Sequence, residues 1–148
     1  MKQVELETEK GTIVFELYED TAPNTANNFV TLAQDGFYDG LNFHRVVEGF
    51  VIQGGDPSGN GTGGPGYEFA DELNDDYTYN RGIVAMANHG PDTNGSQFFI
   101  MLDDYQSVDP TGDKYLGKNY SIFGKVRTGM DVVDQIEIGD KIIKATVK

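Results

Sequence analysis

Short β-type runs, separated by turns rich in glycine and proline, constrain this chain more than any other feature of its sequence. Val4, Leu6 and Thr8 alternate with Gln3, Glu5 and Glu7. Gly11 then turns the chain into Thr12-Ile13-Val14-Phe15-Glu16-Leu17-Tyr18, a pattern that predicts a hairpin. Two short strands are expected around Glu48-Gly49, others at 82–87, 97–102 and 121–126, and a closing strand at Ile142–Val147. Only two helical patterns fit. The first has Thr21 or Asn24 as a candidate cap, Pro23 in the first turn, Ala26, Phe29, Val30 and Ala33 on one face, and Gly36 at its end. The second covers 130–136, with Val132, Val133 and Ile136 inward. Helices do not alternate with strands, which argues against a parallel βαβ sheet and for an antiparallel barrel or sandwich with attached helices.

At 148 residues, with no internal repeat and no long linker, the sequence predicts one domain over 1–148 that buries roughly 68–70% of its unfolded surface. Cysteine is absent, which removes disulfides, thiolate nucleophiles and cysteine metal sites. No apolar run approaches the ~18 residues of a membrane span, and no basic-then-apolar signal opens the chain; a cytoplasmic protein is expected. The 24 acidic residues outnumber the 11 basic ones, for a formal charge of −13. A surface that negative repels phosphates, so neither nucleic acid nor an anionic membrane is an expected partner. The acids are scattered and read as a solvated surface.

Several patterns resemble chemical motifs without the context those motifs need. Gly59-Asn60-Gly61-Thr62-Gly63-Gly64 fits the dinucleotide fingerprint, but Pro65-Gly66 follows where a helix must begin, so residues 54–66 read as a loop with no cofactor. The sequons at Asn60, Asn94 and Asn119 are short chance patterns. Asp109-Pro110-Thr111-Gly112-Asp113 lacks the glutamate that ends a calcium loop and reads as a turn. His44 and His89 provide too few ligands for zinc, and Ser96 has no nucleophile elbow around it, so a metal site is not expected and a hydrolase is poorly supported.

Two segments carry a clearer signal. Residues 43–56 place Phe43, Arg45, Phe50 and Gln53 among apolar, β-branched neighbours. Residues 86–100 repeat the mix of amides, glycines and paired aromatics. One fixed cation, amide donors and acceptors and apolar walls suggest a groove for an extended peptide with one apolar side chain inserted.

On these residues the sequence resembles the cyclophilin-type peptidyl-prolyl cis-trans isomerases. The likeness covers nearly the whole chain, through 43–56, 86–100 with its Asn94-Gly95-Ser96-Gln97-Phe98-Phe99 core, and Ile122-Phe123-Gly124-Lys125-Val126. It implies a closed eight-stranded antiparallel β-barrel capped by two α-helices. It also implies a cofactor-independent, non-covalent isomerase that acts on X–Pro bonds of unfolded or flexible proteins and so assists folding, closest to the compact prokaryotic branch. Carried over by position, Arg45 assists rotation. Phe50, Val51, Phe99, Leu116 and Tyr120 line the proline pocket; Gln53, Ala87, Asn88 and His89 hold the peptide, and Gln97 supports the site.

The resemblance has departures. Tyr115 stands where many eukaryotic members have a tryptophan that helps bind cyclosporin, which implies weak affinity for that drug. Tyr120 replaces a common histidine, and His89 a smaller residue beside the groove. A proline-peptide binding or chaperone module with little turnover is the competing reading; Arg45 favours the enzyme, because a docking groove needs no donor aimed at the prolyl nitrogen. A monomer is expected.

Overall fold

The computed structural model describes residues 2–105 and 116–148. The chain runs β1 (Gln3–Thr8), β2 (Gly11–Leu17), α1 (Pro23–Gln34), β3 (Arg45–Val47), β4 (Val51–Gly54), β5 (Ile83–Met86), β6 (Phe98–Met101), β7 (Ile122–Thr128), α2 (Met130–Gln135) and β8 (Ile142–Val147). All strand pairs are antiparallel, in the order β3-β4-β6-β5-β7-β2-β1-β8. The expected hairpin and closing strand form as the alternation and β-branched content require, with Val4, Leu6 and Thr8 buried.

The expected closed barrel is not what forms. Eight strands curl into a half-barrel that stays open, with β3 and β8 as its edges. The residues ahead of those edges meet only at an isolated bridge, Asn42 to Lys141, with backbone hydrogen bonds such as Phe43 N–H to Asp140 O (2.9 Å) beside it. All three residues of β3 pair with β4, and the chain ahead of it meets the start of β8 through that bridge and not through a ladder.

The first helix is also capped differently from the sequence expectation. Ala22 occupies its N-cap position and makes no side-chain cap bond, so neither Thr21 nor Asn24 serves. Glu72, far along the chain, supplies the acceptor instead: its carboxylate takes the Asn24 N–H (3.2 Å), the Thr25 N–H (2.6 Å) and the Thr25 hydroxyl (2.7 Å). A carboxylate here meets both the orphan donors and the positive end of the helix dipole.

Side-chain alternation splits the sheet between two cores. Ile52, Val84, Met86, Phe98, Ile100 and Phe123 pack with Phe29 and Val30 of α1 and with Val133 of α2. Val51, Ile83, Ala85, Phe99, Met101 and Ile122 face the other way, under Tyr79 and Leu116. Both faces are therefore buried along β5 and β6, which explains why these strands are continuously apolar in sequence, while β4 breaks the pattern at Gln53. Gly124 permits β7 to lie close to β2: a Cβ there would sit 2.5 Å from the Glu16 carbonyl oxygen.

Candidate active site

The face opposite the helices carries most of the residues picked out by the sequence. Arg45 on β3 lies opposite Gln53 on β4, Gln53 opposite Phe99 on β6, and Phe99 opposite Ala85 on β5. Directly opposed residues share a face, so the guanidinium, the amide and the ring form one row across neighbouring strands. Val51, two residues before Gln53, extends that face, and Phe50 enters from the β3–β4 turn. The Arg45 Cζ lies 5.9 Å from the Phe50 ring centroid, within cation–π range.

These side chains bound a pocket of about 300 Å³. Phe50, Val51, Phe99, Leu116 and Tyr120 supply its apolar walls, with Phe50, Val51, Phe99 and Leu116 all buried. Arg45, Gln53, Ala87 and Asn88 complete the lining. Tyr120 meets Phe99 edge-to-face at 5.4 Å. Nine of the expected site residues thus converge on one cavity.

Gln97 stands behind it. Arg45 Nη1 donates to Gln53 Oε1 (3.3 Å), Gln53 Nε2 donates to Gln97 Oε1 (3.2 Å), and Gln97 Nε2 donates to the carbonyls of Gly61 (3.1 Å) and Gly63 (2.9 Å). The glycine-rich loop is therefore the far end of a hydrogen-bond chain that begins at Arg45. Asp56, 1% exposed, anchors the start of that loop by accepting the N–H groups of Ser58, Asn60 and Gly61. Burial pushes the Asp56 carboxyl up, but those three donors and His44 outweigh it and hold its pKa below the usual carboxylate value.

His89 falls outside the Arg45 pocket. It is exposed and lines, with Gln97 and the loop residues Gly61 to Glu68, an adjoining groove of about 460 Å³ that shares Gln53, Ala87 and Asn88 with the pocket. Tyr115 lies outside the described residues, as do Asp109 and Asp113 of the rejected calcium pattern. The Ser96 hydroxyl, 1% exposed, donates to the Gly55 carbonyl (2.7 Å), a structural contact that ties β4 to the segment before β6. His44 is lowered in pKa, first by burial and then by Arg45, against the opposing pull of Asp56. Its Nδ1 is buried with no hydrogen-bond partner among the described residues. Among those residues no group of three or more His, Cys, Asp or Glu side chains could hold a metal ion, and no helix is long and apolar enough to cross a membrane.

Two tyrosines that sequence reasoning overlooked hold the Leu116–Tyr120 wall in place. The Tyr79 hydroxyl donates to the Tyr120 carbonyl and accepts the Tyr120 N–H, both at 3.2 Å. Burial raises its pKa to about 12, so it remains a donor at any working pH. Tyr79 packs edge-on to Tyr105, whose hydroxyl accepts the Leu116 N–H at 3.0 Å. Both sit in acid-rich stretches with no clear periodicity, so only their aromatic character among polar neighbours hinted at a role. Asn88 adds a third tie, from its Nδ2 to the Asn119 carbonyl (2.9 Å).

Comparison with known proteins places this geometry in context. A family model described as cyclophilin type peptidyl-prolyl cis-trans isomerase/CLD matches residues 3–147. A peptidyl-prolyl cis-trans isomerase of Synechococcus elongatus is 44% identical over 149 aligned residues, spanning 99% of this chain and 97% of that one. The human peptidyl-prolyl cis-trans isomerase-like 1 is 49% identical, spanning 90% of this chain and 78% of the relative. A crystal structure of a Cryptosporidium parvum cyclophilin type peptidyl-prolyl cis-trans isomerase, solved in the presence of the dipeptide Ala-Pro, superposes with a TM-score of 0.85 at 34% identity, covering 99% of this chain and 98% of that one.

Proposed function

The chain belongs to the cyclophilin-type peptidyl-prolyl cis-trans isomerases, and on that premise we propose that Arg45 is its catalytic residue and that the Phe50–Phe99–Tyr120 pocket seats the proline ring. The observation that supports this reading most strongly is the presence of the guanidinium in the same small cavity as five apolar side chains. At about 300 Å³ the cavity lies at the lower limit of ligand pockets and suits a single ring rather than a large cofactor.

The chemistry follows from the peptide bond. Resonance gives the C–N bond partial double-bond character and a rotation barrier of roughly 18–20 kcal/mol. An X–Pro bond consequently exchanges in tens to hundreds of seconds unaided. At the twisted midpoint the resonance is broken and a lone pair localises on the prolyl nitrogen. A guanidinium that donates to that nitrogen binds the twisted state better than either planar isomer, which is the condition for a faster rate. Held beforehand by Gln53, the donor needs little reorganisation when the bond turns. Phe50, Val51, Phe99, Leu116 and Tyr120 grip the ring while the acyl side rotates. Gln53, Ala87 and Asn88 hold the flanking backbone, which continues toward His89, and Gln97 keeps Gln53 in place. No bond is made or broken, so no nucleophile or proton relay is required.

We assign the substrates as proline-containing segments of unfolded or flexible proteins, handled by a cytoplasmic monomer that assists folding. Tyr115 in place of a tryptophan favours weak cyclosporin binding. Titrating cyclosporin against isomerase activity tests this, with micromolar or weaker inhibition expected in the natural chain and tighter inhibition in Tyr115→Trp; nanomolar inhibition of the natural chain overturns it. Proline exchange on an Ala-Pro peptide, followed by NMR with the wild-type chain and Arg45→Ala, tests the catalytic assignment.

A further inference from the structure

Tyr120 has two sides. One faces the proline pocket, and the other bounds a larger cleft of about 660 Å³. Tyr77, Tyr79, Tyr105 and the half-exposed Leu73 (52%) line that cleft with it. Lone apolar side chains at a surface need no explanation, but Leu73 and the half-buried Tyr77, Tyr105 and Tyr120 around one concavity, over the buried Tyr79, form a patch of the kind that marks recognition. The Asn74 Nδ2 also lines the cleft, buried and without an acceptor among the described residues, where a peptide carbonyl would satisfy it.

The charge around the cleft indicates which side chain would enter. Asp75 is on its lining, and Asp20 and Asp76 act on the Tyr77 hydroxyl, whereas nearby Glu16 is already neutralised by its ion pair with Arg127. Tyr77 stacks flat on Tyr18 at 3.9 Å, which fixes its ring. The one cation on the described lining, Lys118, pairs with Asp75 at 3.2 Å while both side chains remain more than four-fifths exposed, an arrangement readily exchanged for another cation. Tyrosine faces under a carboxylate rim attract an ammonium or guanidinium group.

We propose that this cleft is a specificity subsite of the isomerase itself, selecting substrates that carry a lysine or arginine near the proline. Because the pocket and the cleft share the Tyr120 wall, one polypeptide can fill both. An extended chain advances roughly 3.3 Å per residue, so a separation of about two to four residues carries it across one aromatic side chain. The inference rests on the proline-pocket reading above and adds to it a preference for basic substrates.

NMR exchange rates on matched proline peptides test it. In one pair lysine or norleucine stands three residues before the proline, and in a second pair three residues after. An unextended Ala-Pro peptide serves as the reference. The expected result is a kcat/KM about two- to fivefold higher for lysine in at least one pair, the scale of an exposed cation–π contact. Asp75→Lys and Tyr77→Ala should abolish the preference while leaving the rate on the reference peptide unchanged. Equal rates for lysine and norleucine in both pairs, or a preference that survives in both variants, overturn the subsite while the isomerase reading stands. Failure to accelerate even the reference peptide would instead count against the proline pocket, and the subsite falls with it.

Discussion

Arg45 and Gln53 are register partners on β3 and β4, and the guanidinium Nη1 donates to the amide Oε1 at 3.3 Å. Gln53 is a neutral partner. A carboxylate at position 53 would form a bidentate ion pair with the guanidinium and hold it tightly, whereas the amide orients it without adding an opposing charge. The amide is oriented in its turn by Gln97, which is held by the Gly61 and Gly63 carbonyls.

Gln53→Glu is accordingly expected to keep the fold and lose activity. The new carboxylate competes with the prolyl nitrogen for Arg45, and kcat should drop about tenfold, the effect of roughly 1.4 kcal/mol on the barrier. Exchange kinetics on a proline peptide measure this; an unchanged kcat would mean that Gln53 does not tune the guanidinium.

Tyr79→Phe should disturb the pocket without touching it. The variant keeps the ring against Tyr105 but loses both hydrogen bonds to the Tyr120 backbone. A stability loss of about 1–2 kcal/mol is expected by urea titration. A several-fold rise in KM should accompany it, because Leu116 and Tyr120 are no longer held. A variant equal to wild type in KM would show that the wall is fixed by other contacts.

Glu72→Gln tests the remote helix cap. Losing the carboxylate charge at the N-terminus of α1, with one of its two backbone N–H acceptances, should cost about 1 kcal/mol while kcat/KM stays unchanged. A loss of activity without a loss of stability would contradict the structural role assigned to Glu72.

His44 gives a pH signature. Its folded pKa is lowered, first by burial, so the unfolded chain takes up a proton before the folded one does. Its contribution is therefore full above the unfolded value of about 6.5 and is lost as pH falls from there through the folded pKa. The urea midpoint should decline between pH 7.5 and 5.5 more steeply in wild type than in His44→Gln. Parallel profiles would exclude His44 as the source. Asp56 acts in the same direction at lower pH: its lowered carboxyl stabilises the fold above the usual carboxylate range and loses that effect as pH falls through its folded pKa.

What the sequence made legible was local. Alternation over 3–17 predicted the first hairpin, and the two short strands expected around Glu48-Gly49 form, with Arg45 paired to Gln53 across them. The closing strand matched at both ends. What depended on distant chain did not show. The cap of α1 comes from a glutamate 47 residues beyond Thr25. Openness of the sheet turns on whether β3 and β8 pair, which no local pattern encodes. Tyr79 and Tyr105 gain their roles only once the chain has folded back beneath Leu116 and Tyr120, and His89, close to Asn88 in sequence, is carried into the neighbouring groove.

The most direct test of Arg45 is cis/trans exchange on an Ala-Pro peptide, read by NMR line shape with wild type and with Arg45→Ala. Both proteins should give the same folded spectrum away from the pocket. Wild type should accelerate exchange, and Arg45→Ala should lose about a hundredfold or more of kcat, the usual consequence of removing one transition-state donor. Near-wild-type exchange in Arg45→Ala would contradict the assignment.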